Sequence, residues 1–477
     1  MSALQRLKLR HAGLALLALL LSGCASFSPD GGFGVVSPAV ESRTGAETRL
    51  LRNEDDQRAL GKLIADKLAQ ELSADDAVQI ALLNNRGLQA RYWELGIAEA
   101  DLVQAGRLQN PGFSFKRSHG GGELEIERTF TFNLVNLITA PLAQHIEGRR
   151  FAQTKLAVAE DAIKLAAETR RAYYEAVAAE QGVEYSRQIA AAADASAELA
   201  ERMRKAGNWS KFDLAREQAF YAEAMAEVAR AGKASTASRE KLTRLMGLWG
   251  ADTGFKLPQR LPELPASAAE LQDVEQGALR NRLDIQAATL ETQHTASSLG
   301  LNKVTRFINV LELGVVRERK GEERMRGYEL SLEIPLFDWG SSRVARAEAV
   351  YMQSANRLAE TAVQARSEAR ESYLDYRSSY DVAKHYRDVV IPLRKQLSDE
   401  TLLRYNGMLL SVFELLADSR EQTAAVKSYI EALKDFWIAY ANLEAATGTR
   451  LNNVPAAAPA PQKQAPAHDH SNHGAHQ

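Results

Sequence analysis

Residues 81–90 read Ala-Leu-Leu-Asn-Asn-Arg-Gly-Leu-Gln-Ala, and residues 278–287 read Ala-Leu-Arg-Asn-Arg-Leu-Asp-Ile-Gln-Ala, so the chain echoes itself 197 positions on. The echo returns near the end of each half. Gly207, Ser210, Phe212, Asp213 and Leu214 are answered by Gly407, Ser411, Phe413, Glu414 and Leu415, and Leu242 and Gly247 by Leu443 and Gly448. The usual repeat period of solenoids is about 20–50 residues. A period this long means that one whole structural unit is duplicated, and a function has to explain why two copies are useful. The expected division is a first unit over 73–250, a linker over 251–265 and a second unit over 266–448. An N-terminal segment, 24–72, precedes them and a tail, 449–477, follows.

The first 23 residues are read as an address and not as part of the fold. Arg6, Lys8 and Arg10 open it, and Ala12 to Leu21 is an apolar run interrupted only by Gly13. A membrane helix needs about 20 apolar residues, so this run reads as a signal-peptide core. It ends in Leu21-Ser22-Gly23-Cys24, which resembles the lipobox of bacterial lipoproteins. The resemblance implies cleavage before Cys24, a covalent lipid anchor of diacylglycerol and palmitate there, and, with Ala25 following, delivery to the outer membrane. Cys24 is the single cysteine, which excludes an intramolecular disulfide.

Without residues 1–23 the formal net charge moves from −2 to about −5. No basic stripe of the kind nucleic-acid binding needs is present, so no nucleic-acid partner is expected. No later stretch approaches the length of a membrane helix. Any membrane crossing must therefore be made by β-strands closed into a barrel.

Most of the chain reads as helix. Between Arg149 and Lys205 there is no proline and one glycine, Gly182, while alanine and straight-chain charged residues dominate. Leu156, Ile163, Ala166, Tyr173 and Val177 recur at coiled-coil spacing. That predicts a rod about 85 Å long at 1.5 Å per residue. A second rod is expected from Arg343 to Tyr405, bent at Pro392. After each rod a glycine and a serine mark a tight turn, and return helices are expected over 211–246 and 412–447. Each unit begins with a shorter helix, about 74–106 and 266–301.

Strands are expected between short helix and rod. In the first unit these are 113–117 and 123–132, joined by Gly120-Gly121-Gly122. Leu124, Ile126, Phe130 and Phe132 fall on one side, and Glu123, Glu125, Glu127 and Thr131 on the other. In the second unit 307–316 leads into a charged turn, Arg317–Arg326, after which Tyr328, Leu330, Leu332 and Ile334 alternate with Glu329, Ser331 and Glu333. Period-two alternation suits a membrane barrel and equally a half-buried soluble strand. Two hairpins cannot close a barrel, and open edges in lipid are costly. In lipid the strands demand partners from other copies.

The order short helix, β-hairpin, long helix, tight turn and return helix, given twice behind a lipobox, resembles the TolC-like outer-membrane factors of bacterial efflux systems. The closest local matches are Ile334-Pro335-Leu336-Phe337-Asp338-Trp339-Gly340 and Tyr405-Asn406-Gly407 through Ser411-Val412-Phe413-Glu414-Leu415-Leu416. The first copy departs from the compact Pro-Leu-Phe-Asp pattern, carrying Phe132-Asn133-Leu134 through Ala140-Pro141-Leu142 instead. The resemblance implies a mainly α fold with a small β part. It also implies a homotrimer whose strands make a 12-stranded barrel in the outer membrane, continuous with a periplasmic α-barrel. Implied partners are a periplasmic adaptor (membrane fusion) protein, an inner-membrane pump of the resistance-nodulation-division type and outer-membrane lipid. The tips at Gly207, Ser210, Asp213 and Gly407, Ser411, Glu414, Asp418 become the periplasmic gate. The loops Ser118–Gly122 and Arg317–Arg326 then face outside the cell.

No catalytic set stands out, and no enzyme or required cofactor is expected. His119, His145, His294 and His385 are scattered and read as surface or core residues. Asp213 and Glu414 open their helices, where an acid is favoured by the helix dipole; tripled by symmetry, they also make an acidic ring able to attract cations. After an Ala/Pro-rich linker, His468, His470, His473 and His476 form a tract suited to Cu(II), Zn(II) or Ni(II). The expected function is export of heavy-metal ions, copper first. The alternatives are a drug or small-organic-compound channel, and a pore-less coiled-coil lipoprotein of the periplasm.

Overall fold

The computed structural model describes residues 26–120, 123–308 and 310–451. The signal peptide, Cys24, Gly121 and Gly122 of the first turn, and the histidine tract lie outside the described residues. Alternating segments do form strands, and alanine-rich ones helices, but several boundaries move.

Two helices that the sequence reading did not place, α1 (Phe33–Thr44) and α2 (Glu54–Leu68), precede the first unit. The short helix of that unit is two pieces, α3 (Ala74–Asn84) and α4 (Arg86–Ala105). The break is Asn85, whose extended backbone lets its side chain accept from the Leu88 amide and cap α4. Strands β1 (Gly112–Gly120) and β2 (Glu123–Asn133) follow. Asn133 then caps α5 (Leu134–Lys205) by accepting from the Asn136 amide. At 72 residues, α5 is about 108 Å long. It starts well before Arg149 and runs through Pro141, its eighth residue, which lacks the amide that would have bonded to the Leu137 carbonyl. The return helix is α6 (Lys211–Met246).

The second unit repeats this order: α7 (Val274–Asn281), α8 (Leu283–Val304), β3 (Leu311–Lys320), β4 (Glu323–Leu332), α9 (Ser341–His385), α10 (Ile391–Asn406) and α11 (Val412–Thr447). Residues 266–273 are not helical, so the expected helix from 266 starts late. Pro392 is accommodated by a widened π-turn at Tyr386–Val390 between α9 and α10, which relieves the ladder where the proline has no amide to give.

The largest correction concerns the charged segment. Arg317–Arg326 is not a loop: β3 extends to Lys320, β4 begins at Glu323, and the turn is only Gly321-Glu322. The ladder continues because backbone pairing does not depend on side-chain polarity, and opposite charges meet across it, Glu125 facing Lys320 and Lys320 facing Glu323. Likewise β1 runs through the expected loop to Gly120.

The sequence echoes have a structural meaning: within each unit they touch. Gly247 ends α6 in the left-handed conformation, φ 66°, and Gly448 ends α11 likewise, φ 68°. Asn84 donates to the Met246 and Gly247 carbonyls at 3.0 and 2.8 Å, and Asn85 to Leu245 at 3.0 Å. A Cβ on Gly247 would sit 2.9 Å from the Asn84 carbonyl oxygen, and one on Gly448 3.1 Å from the Asn281 carbonyl carbon. Gly247→Ala is therefore expected to cost about 1–3 kcal/mol by urea unfolding, from the left-handed strain plus the forced backbone shift. Gly250→Ala, also left-handed at φ 62° but facing open space, is expected to cost only the strain. Equal losses would remove the packing argument.

The two units share one core. Tyr173, Tyr174, Tyr376, Phe436 and Trp437 gather where both long hairpins meet the linker, with Tyr174 and Trp437 stacked at 5.4 Å. α5 also packs on α1, α4 and α8, which buries Val36, Tyr92 and Phe151 together.

Candidate channel surfaces

Strands from both units join one antiparallel sheet, ordered β1-β2-β3-β4, with β1 and β4 as its edges. Phe113 faces Phe130, Phe130 faces Val315, and Val315 faces Tyr328, so these four side chains make one row on one face. The next row on that face is Phe132, Leu313 and Leu330, followed by Leu311 and Leu332. Ile334, Leu336 and Phe337 continue the exposed apolar surface beyond the strand, Phe337 being 99% exposed. The other face carries Glu125, Glu127, Glu318 and Glu329 beside Lys116 and Lys320. Along the two central strands it is the sheltered face: Thr129 on it is 5% exposed, against 47% for Phe130 on the apolar side. From the row of Phe130 to that of Leu332 the sheet thus turns bulky apolar groups to one face, while the acids lie on the other, the reverse of a sheet in water.

The other end of α5 lies about 108 Å along the helix from the sheet. There the first turn puts Gly207 in the left-handed conformation at φ 83°, whereas Gly407 is at φ −78° and the left-handed residue is Met408, φ 60°. The glycine marks the second tip, as expected, but the left-handed backbone falls on the residue after it. That tip's extra residue before Ser411 moves the turn by one position, leaving Met408 93% exposed.

Both serines cap, as their spacing predicts. Ser210 accepts from the Asp213 amide at 3.1 Å and donates to the Asp213 carboxylate at 2.6 Å. Ser411 and Glu414 form a reciprocal capping box, the Ser411 amide donating to Glu414 Oε2 at 2.9 Å. That amide holds the Glu414 carboxyl below its ordinary range. The sign follows: a lowered carboxyl contributes its stabilisation above the unfolded value, about 4.3, and loses it as pH falls through the folded one. The protection of the Ser411 amide, its exchange rate relative to that of the unfolded chain at the same pH, is expected to be constant from pH 7 to about 5 and to fall below about 4.3, whereas Glu414→Gln removes that dependence.

One turn further in lies a cluster that the sequence reading missed. Glu217, 1% exposed, accepts from Ser196 Oγ at 2.9 Å and from Arg420 at 2.7 Å. Arg420 also lies over the Phe220 ring at 4.0 Å. Glu217 follows Asp213 by four residues just as Asp418 follows Glu414, so the duplication itself carried the signal. Oε1 of Glu217 and Oδ2 of Asp418 are buried without a hydrogen-bond partner. Trp209 stacks on Phe413 at 4.4 Å and 17° between planes, tying the two tips together. Asp213, Glu414 and Asp418 thus share one end of the molecule, but the first two are committed to caps.

Among the described residues no group of His, Cys, Asp and Glu could hold a metal ion, and no helix is long and apolar enough to cross a membrane. His294 Nδ1 lies 3.2 Å from the Ile146 carbonyl, a packed position.

The arrangement matches solved structures closely. The outer-membrane channel OprN superposes with a TM-score of 0.67 at 17% identity, over 87% of this chain and 96% of that chain. The fold is that of an outer-membrane channel protomer. A membrane protein from Pseudomonas aeruginosa gives a TM-score of 0.68 at 18% identity, covering 79% of this chain and 92% of that one. CusC, whose crystal structures address folding and transmembrane channel formation, gives 0.65 at 17% over 79% and 92%. No family model and no curated protein matches the sequence. At such identities it is the protomer fold that is shared: mainly helical, with long helices and one four-stranded antiparallel sheet.

Proposed function

We propose that the chain is the outer-membrane duct of a tripartite efflux system, acting as a homotrimer and catalysing no reaction. The observation that carries this reading is the four-stranded sheet with two free edges and its apolar side turned outward. In lipid such edges must pair, and three copies joined β4 to β1 supply twelve strands. The sheltered acidic face then lines the pore, the helices continue it through the periplasm, and the tips form the mouth where a periplasmic adaptor and an inner-membrane pump dock. Asp418 and Glu217, one turn inside the tips, are placed to bias the opening of that mouth, with Asp213 and Glu414 holding the turns. A lipid on Cys24 adds a second hold on the membrane.

OprN and the CmeC protein of Campylobacter jejuni, similar in fold, are outer-membrane channels. Heavy-metal ions, copper first, are the proposed cargo, supported by the tail histidines His468, His470, His473 and His476 and by the acidic pore face, which favours cations.

The test is conductance of the purified protein in a planar bilayer. Discrete, cation-preferring steps are expected from trimers, and silence from well-folded trimers would leave the pore-less periplasmic reading. Deleting residues 468–477 is expected to lower copper tolerance in cells that depend on the channel. Unchanged tolerance to copper, zinc and nickel would favour organic cargo.

A further inference from the structure

The sheet has a second outward surface, above the apolar one. One pleat beyond the row of Phe113, Phe130, Val315 and Tyr328, about 7 Å along the strands, the same face carries Arg128, Arg317 and Arg326, directly opposite one another across three strands. One pleat further, Arg319 faces Arg324, with Arg117 opposite Ile126 in the same row. All six guanidinium-bearing residues are exposed. The carboxylates of these rows, Glu125, Glu127, Glu318 and Glu323, lie on the opposite face. Like charges directly opposite one another weaken a sheet. A row of three arginines with the acids turned away is therefore a surface that needs anions from outside the chain.

We propose that this arginine belt binds the phosphate groups of anionic lipid headgroups in the outer leaflet. The proposal rests on the channel reading, which sets the apolar face against lipid and the hairpin ends toward the cell exterior. A charge on the lipid face is costly at the midplane and nearly free at the interface, so the belt marks where hydrocarbon ends. An aromatic row just beneath a charged one is the arrangement expected at headgroup depth. Guanidinium groups bind phosphate through two parallel hydrogen bonds, which a lysine ammonium cannot do. Continuity with the apolar band selects a lipid over a soluble anion, since the occupant's chains lie along Phe113, Phe130 and Tyr328.

The test uses full-length trimers in neutral detergent, titrated with bis-phosphorylated lipid A, a neutral glycolipid of the same chain length, or inorganic phosphate. Only the phosphorylated lipid is expected to raise the trimer melting temperature, by about 5 °C at saturation. The R128Q/R317Q/R326Q variant is expected to weaken that lipid's affinity by about tenfold or more. R128K/R317K/R326K, which keeps the charge, is expected to assemble and conduct normally but to bind severalfold more weakly, and it decides the matter should the glutamine variant fail to assemble. An equal shift with the neutral lipid, the same shift with inorganic phosphate, or wild-type affinity in the assembled variants overturns the proposal. Wild-type trimers that conduct without a phosphate-dependent shift sink the belt alone. A wild-type protein that neither trimerises nor conducts sinks the channel reading and the belt with it.

Discussion

Leu330→Arg is expected to abolish stable assembly, while Ser331→Arg, its neighbour in sequence, is expected to be tolerated. Leu330 is 60% exposed and shares its face with Phe132 and Leu313. If that face meets hydrocarbon, an arginine there costs about 2–4 kcal/mol near the midplane, and a trimer carries three of them. Ser331 lies on the acidic face opposite Glu312, where a cation gains a partner. Urea unfolding in vesicles and the yield of trimer from membranes give the comparison. Were the two variants to behave alike, the apolar face would not be a lipid face, because a soluble sheet of this exposure accepts an arginine at either position. The pair therefore tests the barrel without depending on any cargo.

Arg170→Ala is the second large expected effect, about 3–5 kcal/mol of stability lost. Arg170, buried in α5, donates to Glu444 of α11 at 2.6 Å and to Asp75 of α3 at 2.7 Å, so one side chain ties both units together. Glu444 also accepts from the Leu451 amide at 3.1 Å. Burial pushes its carboxyl above the ordinary range, against the pull of Arg170. Without Arg170 that buried carboxylate keeps only the Leu451 amide and the charge of Arg450. A carboxyl whose folded value is raised disfavours folding when ionised, and the penalty fades as pH falls through that value. The loss in Arg170→Ala is thus expected to be larger at pH 8 than at pH 5. Arg170→Met with Glu444→Leu is expected to recover most of it, since well-packed apolar groups often replace a buried ion pair at little cost. Thermal and urea unfolding at both pH values give the measurement; a loss below about 1 kcal/mol at pH 8 would show that water reaches Glu444.

The helical part was legible because its determinants are local. Long runs of alanine and charged straight-chain residues without proline favour helix by their own propensity, which residues 266–273 alone were too short to realise, and Ser210 and Ser411 cap from within their own turn. The sheet was half legible. Alternation around Phe130 and around Leu330 showed two faces, but Arg317–Arg326 was taken for a loop because charge was read as solvent exposure. In a barrel both faces can carry charge, one toward water in the pore and one at the headgroups, so polarity does not mark the strand's end. Helices α1 and α2 went unplaced. The acid Glu217 was missed although the repeat pointed to it, since its interest comes from Ser196 and Arg420, which lie on other helices.

The residue pattern alone settled that the chain is doubled, that long antiparallel helical hairpins dominate it, and that each copy carries a β-hairpin, because periodicity and capping act over a few residues. Only tertiary structure decided that the two hairpins merge through β2 and β3, that Asn84 and Asn85 clamp the end of α6, and that the arginines and the acids of the sheet part to opposite faces. Those outcomes depend on contacts between segments up to roughly 200 positions apart, whose register is chosen by the packing of the whole core and leaves no local mark.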